Sequence, residues 1–218
     1  VSQKMNDRNP SAPNNLLENT MTIFILAGAF CYMKSIKQHR IILLLISSLL
    51  WLCAILCKGP TALFLLFLPI FVHLLDKNIS LKLLCTDLLL LIGGLALWTI
   101  LLLLTQPAAY QYFIHYYKAQ LLVSFNIAPT GGSHFYILKS WIGQIAIPLL
   151  ITIVFTLIQY FSKHKVEFFA NHNNDKLRLA ISYLLTGLCG VLPMMISAKQ
   201  HDFYMLSALP FFAIGLGM

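Results

Sequence analysis

A lysine lies between two apolar stretches in the sequence LLWLCAILCKGPTALFLLFLP. Lys58 is followed by Gly59 and Pro60, and proline, which has no amide hydrogen, suits the first turn of a helix. This pattern predicts a tight turn with Lys58 beside the start of the next helix. An ammonium group and the free amide hydrogens of a helix start both attract phosphate, so the turn is a candidate phosphate site. A lysine that merely anchors a helical hairpin at an interface explains the same pattern.

A second polar motif occurs near the end of the chain, in MMISAKQHDFYMLSALPFF. It brings Lys199, His201, Asp202 and Tyr204 into a short loop between two apolar runs. Together with Lys58, these cationic and polar groups could hold a phosphate or diphosphate whose lipid tail stays in a bilayer. An ordinary solvated loop with an interfacial tyrosine is the alternative.

An acidic residue, Glu18, stands at the start of a third apolar run, in NNLLENTMTIFILAGAF. A carboxylate at this place can cap a helix and favour the positive end of its dipole. It can also carry the chemistry of a site or pair with Lys58 or Lys199. The residues alone leave these possibilities open.

A long connection at 106–140 is rich in aromatic residues. Residues 108–124 fit an amphipathic helix at an interface, and NIAPTGGSHF fits a turn or lid. Stacked aromatic rings commonly hold sugars, but an aromatic belt at the membrane surface accounts for the composition equally well. His115 and His134 are candidate polar residues of a site. No pair of carboxylates lies nearby in the sequence, so a metal site is not indicated.

The elements that must position these residues are membrane helices. The chain is 59% hydrophobic and 10% charged, with a mean hydropathy of +0.79, whereas soluble domains have about a quarter of their residues charged. The apolar runs lack strand-like alternation, so the fold class is all-α, a polytopic transmembrane helix bundle. We expect about seven spans, at 16–33, 41–57, 61–75, 88–105, 141–162, 179–198 and 203–218.

The basic residues predict which loops face the cytoplasm. The loops on one side carry Lys34, Lys37, Arg40, Lys77, Lys82, Lys163, Lys165, Lys176 and Arg178. The other side carries Lys4, Arg8, Lys58, Lys118, Lys139 and Lys199. Nine against six favours the first side as cytoplasmic. Lys58, the 106–140 connection and the Lys199 loop then share the outer face.

Several classes of function receive no support from the sequence. The net charge of +8 is spread over short loops, so we expect anionic lipid head groups as partners and no nucleic acid. Four of the spans have no ionisable residue in their middles, which argues against an ion-coupled transporter. No phosphate-binding glycine loop occurs, so nucleotide hydrolysis is not indicated. Asp87 stands where it can cap the helix that follows it, and no cofactor or metal is evident.

Three stretches, taken in order and spacing, resemble a known family. LLENTMTIFILAGAFCYMKS, LCKGPTALFLLFLPIF and SAKQHDFYMLSALPFFAIGLG are similar to segments of integral-membrane glycosyltransferases of the protein-mannosyltransferase and lipid A aminoarabinose transferase type. The resemblance covers roughly 16–217 and is strong only at these three places. It implies the membrane glycosyltransferase fold called GT-C, with residues 1–218 as part of one transmembrane domain and 106–140 as an extracytoplasmic loop.

The resemblance also implies a reaction and roles for particular residues. A sugar would pass from a polyprenyl-phosphate carrier to a lipid, glycan or protein acceptor, at the outer face of a bacterial inner membrane and with inversion at the anomeric carbon. Lys58 and Lys199 would hold the lipid phosphate, with His201 and Tyr204 as further candidates. Glu18 matches an acidic position that begins the corresponding helix, and Gly131, Gly132 and His134 fall where the family has a mobile outer loop.

The sequence departs from the family in one respect. The family's catalytic acidic motif follows its first membrane helix, and nothing here corresponds to it, so we expect the catalytic carboxylate to precede Val1 in a longer protein. A non-catalytic lipid-binding membrane module or transporter is the alternative function. The sugar, the acceptor, the polyprenol length, any metal requirement and the oligomeric state are not readable from these residues.

Overall fold

The protein is all-helical in the computed structural model, which describes residues 11–76, 80–112, 114–115, 118, 135–161, 174–192 and 205–218. The helices are α1 (Ser11–Ser35), α2 (Arg40–Lys58), the 3₁₀ helix η1 (Pro60–Leu66), α3 (Phe67–Leu75), α4 (Leu81–Thr105), α5 (Tyr136–Phe161), α6 (Asn174–Val191) and α7 (Leu209–Gly217). Within these ranges no residue belongs to a strand. The predicted all-α fold class is therefore confirmed.

Among the described residues, three helical stretches are long and apolar enough to cross a membrane: Leu16–Ser35, Arg40–Cys57 and Leu81–Thr105. Thr61–Leu75 and Leu138–Val154 are shorter apolar helices. This is the pattern of a membrane protein. The described parts of all seven predicted spans fall in or overlap helices, although the count of seven crossings stays a prediction.

The short third span gains length from its backbone geometry. Residues 60–66 form seven residues of 3₁₀ helix, which rises about 2.0 Å per residue, whereas the nine residues of α3 rise about 1.5 Å each. The two together extend about 27 Å, close to the thickness of a hydrocarbon core of about 30 Å. A run of only sixteen residues can thus nearly span a bilayer.

Four helical runs cross the bundle in alternating directions: α1, α2, η1 continued by α3, and α4. A short turn after α1 starts α2, whose Ser47 hydroxyl donates to the Gly28 carbonyl, at 2.8 Å. Helix α4 runs parallel to α2, since the Trp98 indole nitrogen donates to the Leu45 carbonyl, at 3.1 Å, and Arg40 contacts Asp87. We call the end where α1 and α3 stop and α2 and α4 start the Asp87 end. The opposite end, where α2 stops and η1 starts, is the Lys58 end.

The buried face of α1 has a regular spacing. Its members are Glu18, Met21, Ile25, Gly28, Tyr32 and Ser35, alternately three and four residues apart. This is the spacing of a stripe along one side of a helix that packs on neighbours. Glu18 at one end of the stripe and Tyr32 near the other therefore both face the interior of the bundle.

Helices α6 and α7 pack against η1 and α3. The Phe211 ring of α7 meets Phe64 edge-on, with centroids 5.5 Å apart, and lies 6.0 Å from Tyr183 of α6. At Gly190 an added Cβ would lie 3.1 Å from the Ala208 Cβ and 3.3 Å from the Phe64 ring. Small residues thus bring these helices close, as is usual in membrane bundles. The last turn of α6 consequently lies beside η1, at the Lys58 end.

Two helices expose much of their apolar surface. Leu89, Ile92 and Leu104 of α4 are exposed, as are Ile147, Leu150 and Ile151 of α5. Helix α5 contacts the rest of the bundle through Trp141, whose ring lies 5.4 Å from Phe212. Such faces suit the acyl chains of a bilayer.

Candidate functional site

The predicted turn after Lys58 is present in the backbone. Helix α2 ends at Lys58, and Gly59 has φ 85° and ψ −158°, a conformation that glycine adopts without strain. The Gly59 amide donates to the Ile55 carbonyl, at 2.6 Å. Pro60 is then the first residue of η1, as its fixed φ and missing amide hydrogen favour. Lys58 is thus the last residue of one helix, two positions before the start of the next.

Glu18 lies inside the bundle at the same end. Its exposed fraction is 0%. One turn further along α1, the Met21 sulfur accepts a hydrogen bond from the Thr61 hydroxyl, at 3.8 Å. Thr61 is the second residue of η1, so the stripe on α1 places Glu18 near the turn that follows Lys58. Of the sequence motifs, Glu18 and the Lys58 turn are therefore brought together.

Of the possibilities that the sequence left open for Glu18, helix capping does not hold. Helix α1 begins at Ser11, seven residues earlier, whereas capping residues stand at the boundary itself. The helix starts earlier than its apolar run because hydropathy marks the membrane crossing and not the helix end. A carboxylate inside a membrane bundle is costly, so its place there favours a functional reading over a capping one.

His115 is described and is exposed. The remaining predicted site residues lie outside the described part of the chain. These are Lys199, His201, Tyr204 and His134, together with Gly131 and Gly132. The residues that flank the Lys199 motif are described: Val191 and Met205 are both buried. Because Gly190 contacts Phe64 of η1, the chain enters this motif from the Lys58 end.

The aromatic connection is described only in part. Residues 107–112 are helical, which agrees with the first portion of the predicted helix at 108–124. Tyr110 and Tyr112 are exposed on it. An interfacial belt and a sugar-stacking surface both fit these two side chains.

A second group of polar side chains, which the sequence motifs did not predict, lies at the Asp87 end. Asp87 is 1% exposed, and its Oδ1 accepts a short hydrogen bond from the Arg40 guanidinium. Its Oδ2 lies 3.3 Å from Nε2 of His73. The hydroxyl of Tyr32 lies 3.3 Å from Nδ1 of His73. Four helices, α1 to α4, therefore contribute one side chain each to a connected network.

Helix capping by Asp87 does not hold either. Helix α4 starts at Leu81, preceded by Ser80, so Asp87 stands six residues inside it. The mean hydropathy of this stretch is lowered by Lys82 and Asp87, which moved the predicted start to 88. The sequence did contain a signal for this position. The buried residues of α4 are three, four and three residues apart: Leu84, Asp87, Leu91 and Gly94. This spacing places Asp87 on the packed face of the helix.

The network explains why a cation can stand at the start of α2. Arg40 is the first residue of α2, where a cation is disfavoured by the helix dipole, and the pairing with Asp87 offsets this. The Arg40 side chain is 28% exposed, so one edge of the network reaches solvent or head groups. Among the described residues no group of three or more His, Cys, Asp or Glu side chains could hold a metal ion.

Comparisons with known protein families, with curated proteins and with solved structures found no match for this chain.

Proposed function

We propose that the chain is part of an integral-membrane glycosyltransferase that takes its sugar from a polyprenyl-phosphate carrier. The observation that carries the proposal is the burial of Glu18 on α1, one helical turn from Met21, whose sulfur accepts a hydrogen bond from Thr61 of η1. Two of the three motifs that resemble this family thereby meet at one end of the bundle. The third motif, with Lys199, is entered from the same end through the last turn of α6.

In this proposal the Lys58 end faces the extracytoplasmic side of a bacterial inner membrane. The bundle is of the GT-C type, with about seven spans. Lys58, Lys199, His201 and Tyr204 hold the carrier phosphate, Glu18 and His134 lie near the substrates, and the polyprenyl chain lies along the apolar helices. The acceptor is a lipid, glycan or protein.

The reaction is a nucleophilic displacement at the anomeric carbon. An acceptor hydroxyl forms the new carbon–oxygen bond while the bond to the carrier phosphate breaks, and the electron pair of that bond goes to the phosphate oxygen. The hydroxyl proton passes to a carboxylate general base, which we assign to no residue of this chain. A lysine beside the phosphate stabilises the charge that grows on the leaving group. Attack from the opposite face inverts the anomeric centre.

The test is a transfer assay in membranes that contain the protein at its full natural length, with radiolabelled sugars on polyprenyl phosphate. We expect Lys58→Ala and Glu18→Gln to lower transfer at least tenfold at equal expression. Lys82→Ala is the matched control, because Lys82 is an exposed lysine in the first turn of α4 at the Asp87 end. It should transfer at the wild-type rate.

Two outcomes would contradict the proposal. Equal transfer by the wild type and the Lys58 variant would leave Lys58 as an interfacial anchor. No transfer by the wild type, across a panel of lipid-linked sugars, would favour a non-catalytic lipid-binding module or a transporter.

A further inference from the structure

The connection between α1 and α2 carries positive charge at its surface. Lys34 lies in the last turn of α1, and Lys37 and His39 follow before α2 starts. All three side chains are exposed, and we call these three residues the basic turn. The next cation along the chain, Arg40, is directed instead to the buried carboxylate of Asp87. The charge of the basic turn is therefore separate from the Asp87 network.

The sequence around the basic turn offers no acidic residue to offset this charge. Between Glu18 and Asp76 there is no Asp or Glu. Among the described residues, neither Lys34 nor Lys37 takes part in an ion pair. Two exposed ammonium groups at one end of the bundle can therefore bind an anion from the surroundings.

Exposed apolar faces lead away from the basic turn along both helices. On α1, Ile23, Phe30 and Lys34 are seven and four residues apart, so the lysine shares a face with two exposed apolar side chains. On α2, Ile42 and Ile46 are four residues apart and are exposed as well. Cationic groups at the end of an apolar helix face suit an anionic amphiphile that lies along the helices.

Both faces point away from the rest of the bundle. Helix α1 contacts α3 through Tyr32, and α2 contacts α4 through Ser48. Phe30 and Ile46 each stand two residues before these contacts, which is about 200° around a helix and thus nearly the opposite side. The two apolar faces are therefore open to the lipid of a bilayer.

We propose that the basic turn binds the phosphate head group of an anionic phospholipid, whose acyl chains lie on the outward faces of α1 and α2. The turn joins two helices that are long enough to cross a membrane, so its lysines stand at the depth of the lipid phosphates. A zwitterionic lipid carries an amine that offsets its phosphate, so the turn prefers an anionic lipid. This inference goes beyond the proposed glycosyltransferase activity and does not rest on it.

The size of the preference follows from the two lysines. Each basic residue at an anionic membrane surface favours binding about fivefold. Lys34 and Lys37 together should therefore enrich an anionic lipid about 5- to 25-fold over a zwitterionic one beside this hairpin.

The test places a fluorescent reporter on the outward face of α1. Phe30→Trp puts an indole one helical turn from Lys34, and the protein at its full natural length is reconstituted in phosphatidylcholine vesicles. A fixed minor share of the lipid carries bromine, on either phosphatidylglycerol or phosphatidylcholine, and bromine quenches a nearby indole. Subtraction of the signal of the protein without the substitution removes its other tryptophans. We expect stronger quenching by the brominated phosphatidylglycerol, equivalent to the enrichment given above.

Lysine variants of the reporter protein locate the preference. Lys34→Ala with Lys37→Ala should remove it, whereas Lys34→Arg with Lys37→Arg should keep it, because the charge is retained. Lys82→Ala with Lys176→Ala is the matched control and should also keep it. This pair removes the same charge from exposed positions in the first turns of α4 and α6, which lie at the same end of the bundle but outside the α1–α2 hairpin.

Four results would each overturn the proposal. The two brominated lipids could quench the reporter equally, the preference could survive Lys34→Ala with Lys37→Ala, or the control pair could lose it to the same extent. Because the lysines are exposed, added salt should screen them and lower the preference. A preference that salt left unchanged would be the fourth contradicting result.

Discussion

The two ends of the bundle differ in how their charged side chains are surrounded and in how regular their backbone is. At the Asp87 end, a buried carboxylate from α4 contacts cationic or titratable side chains from α2 and α3, and the network closes through Tyr32 of α1. At the Lys58 end, the backbone itself is irregular, with a glycine turn and seven residues of 3₁₀ helix. Glu18 is buried there, one helical turn from Met21, which contacts Thr61 of η1.

This difference indicates that the two ends have different roles. The contacts among these four helices hold their positions, because the buried Asp87 carboxylate is paired with Arg40 of α2 and lies 3.3 Å from His73 of α3. A 3₁₀ run of this length is uncommon and often marks a functional segment. The contacts at the Asp87 end hold the bundle together, and under the proposed function the Lys58 end binds the substrate.

The largest expected effect comes from breaking the network at Asp87. Asp87→Asn leaves the Arg40 cation without its carboxylate, which costs about 3 kcal/mol of unfolding free energy, at the lower end for a buried pair because Arg40 is partly exposed. Asp175→Asn is the matched control, since the Asp175 carboxylate is 68% exposed in its 3.6 Å pair with Arg178, whereas Asp87 is buried. Its removal should cost less than about 0.5 kcal/mol.

Unfolding in detergent micelles, followed by circular dichroism, would measure both variants. Equal losses would contradict the view that burial makes the Asp87 pair different. If Asp87→Asn folded normally but abolished sugar transfer, the assignment of different roles to the two ends would be wrong.

A smaller effect is expected where α2 and α4 touch between the two ends. At Gly94 an added Cβ would lie 2.3 Å from the Ser48 hydroxyl oxygen, whereas at Gly93 nothing lies within 4 Å. Gly94→Ala should lower the unfolding free energy by about 1–2 kcal/mol through overpacking. Gly93→Ala should raise it by up to about 1 kcal/mol, because alanine is the better helix former.

The same unfolding measurement compares these two adjacent positions. A higher unfolding free energy in both variants would mean that α2 and α4 are loosely packed at Gly94. The close parallel packing of these two helices would then be wrong.

Local patterns made the Lys58 end readable from the sequence. A glycine and a proline directly after a lysine specify a turn and a helix start through their own backbone preferences, and the structure has both at the predicted positions. The apolar runs likewise predicted the all-α fold, because hydropathy over about twenty residues depends on no distant contact.

The Asp87 end was not readable in the same way. Arg40, His73 and Asp87 are far apart in sequence, and each one alone looks like a loop charge or a helix cap. Their meeting depends on the register of α2 against α4 and on the place of α3. Asp87 and Glu18 were both assigned to helix ends because hydropathy locates the membrane crossing, while each helix extends beyond it. The three-and-four spacing of the buried positions was the signal that could have placed them inside.

The central claim is that the Lys58 end binds the phosphate of a polyprenyl carrier, and binding of radiolabelled polyprenyl phosphate to the purified full-length protein tests it most directly. Lys58→Ala should weaken binding about 10- to 100-fold, the equivalent of one charged hydrogen bond. Lys82→Ala, an exposed lysine at the other end, should bind like the wild type. If both variants bound equally well, or if Lys82→Ala were the weaker, the phosphate site would not be at the Lys58 end.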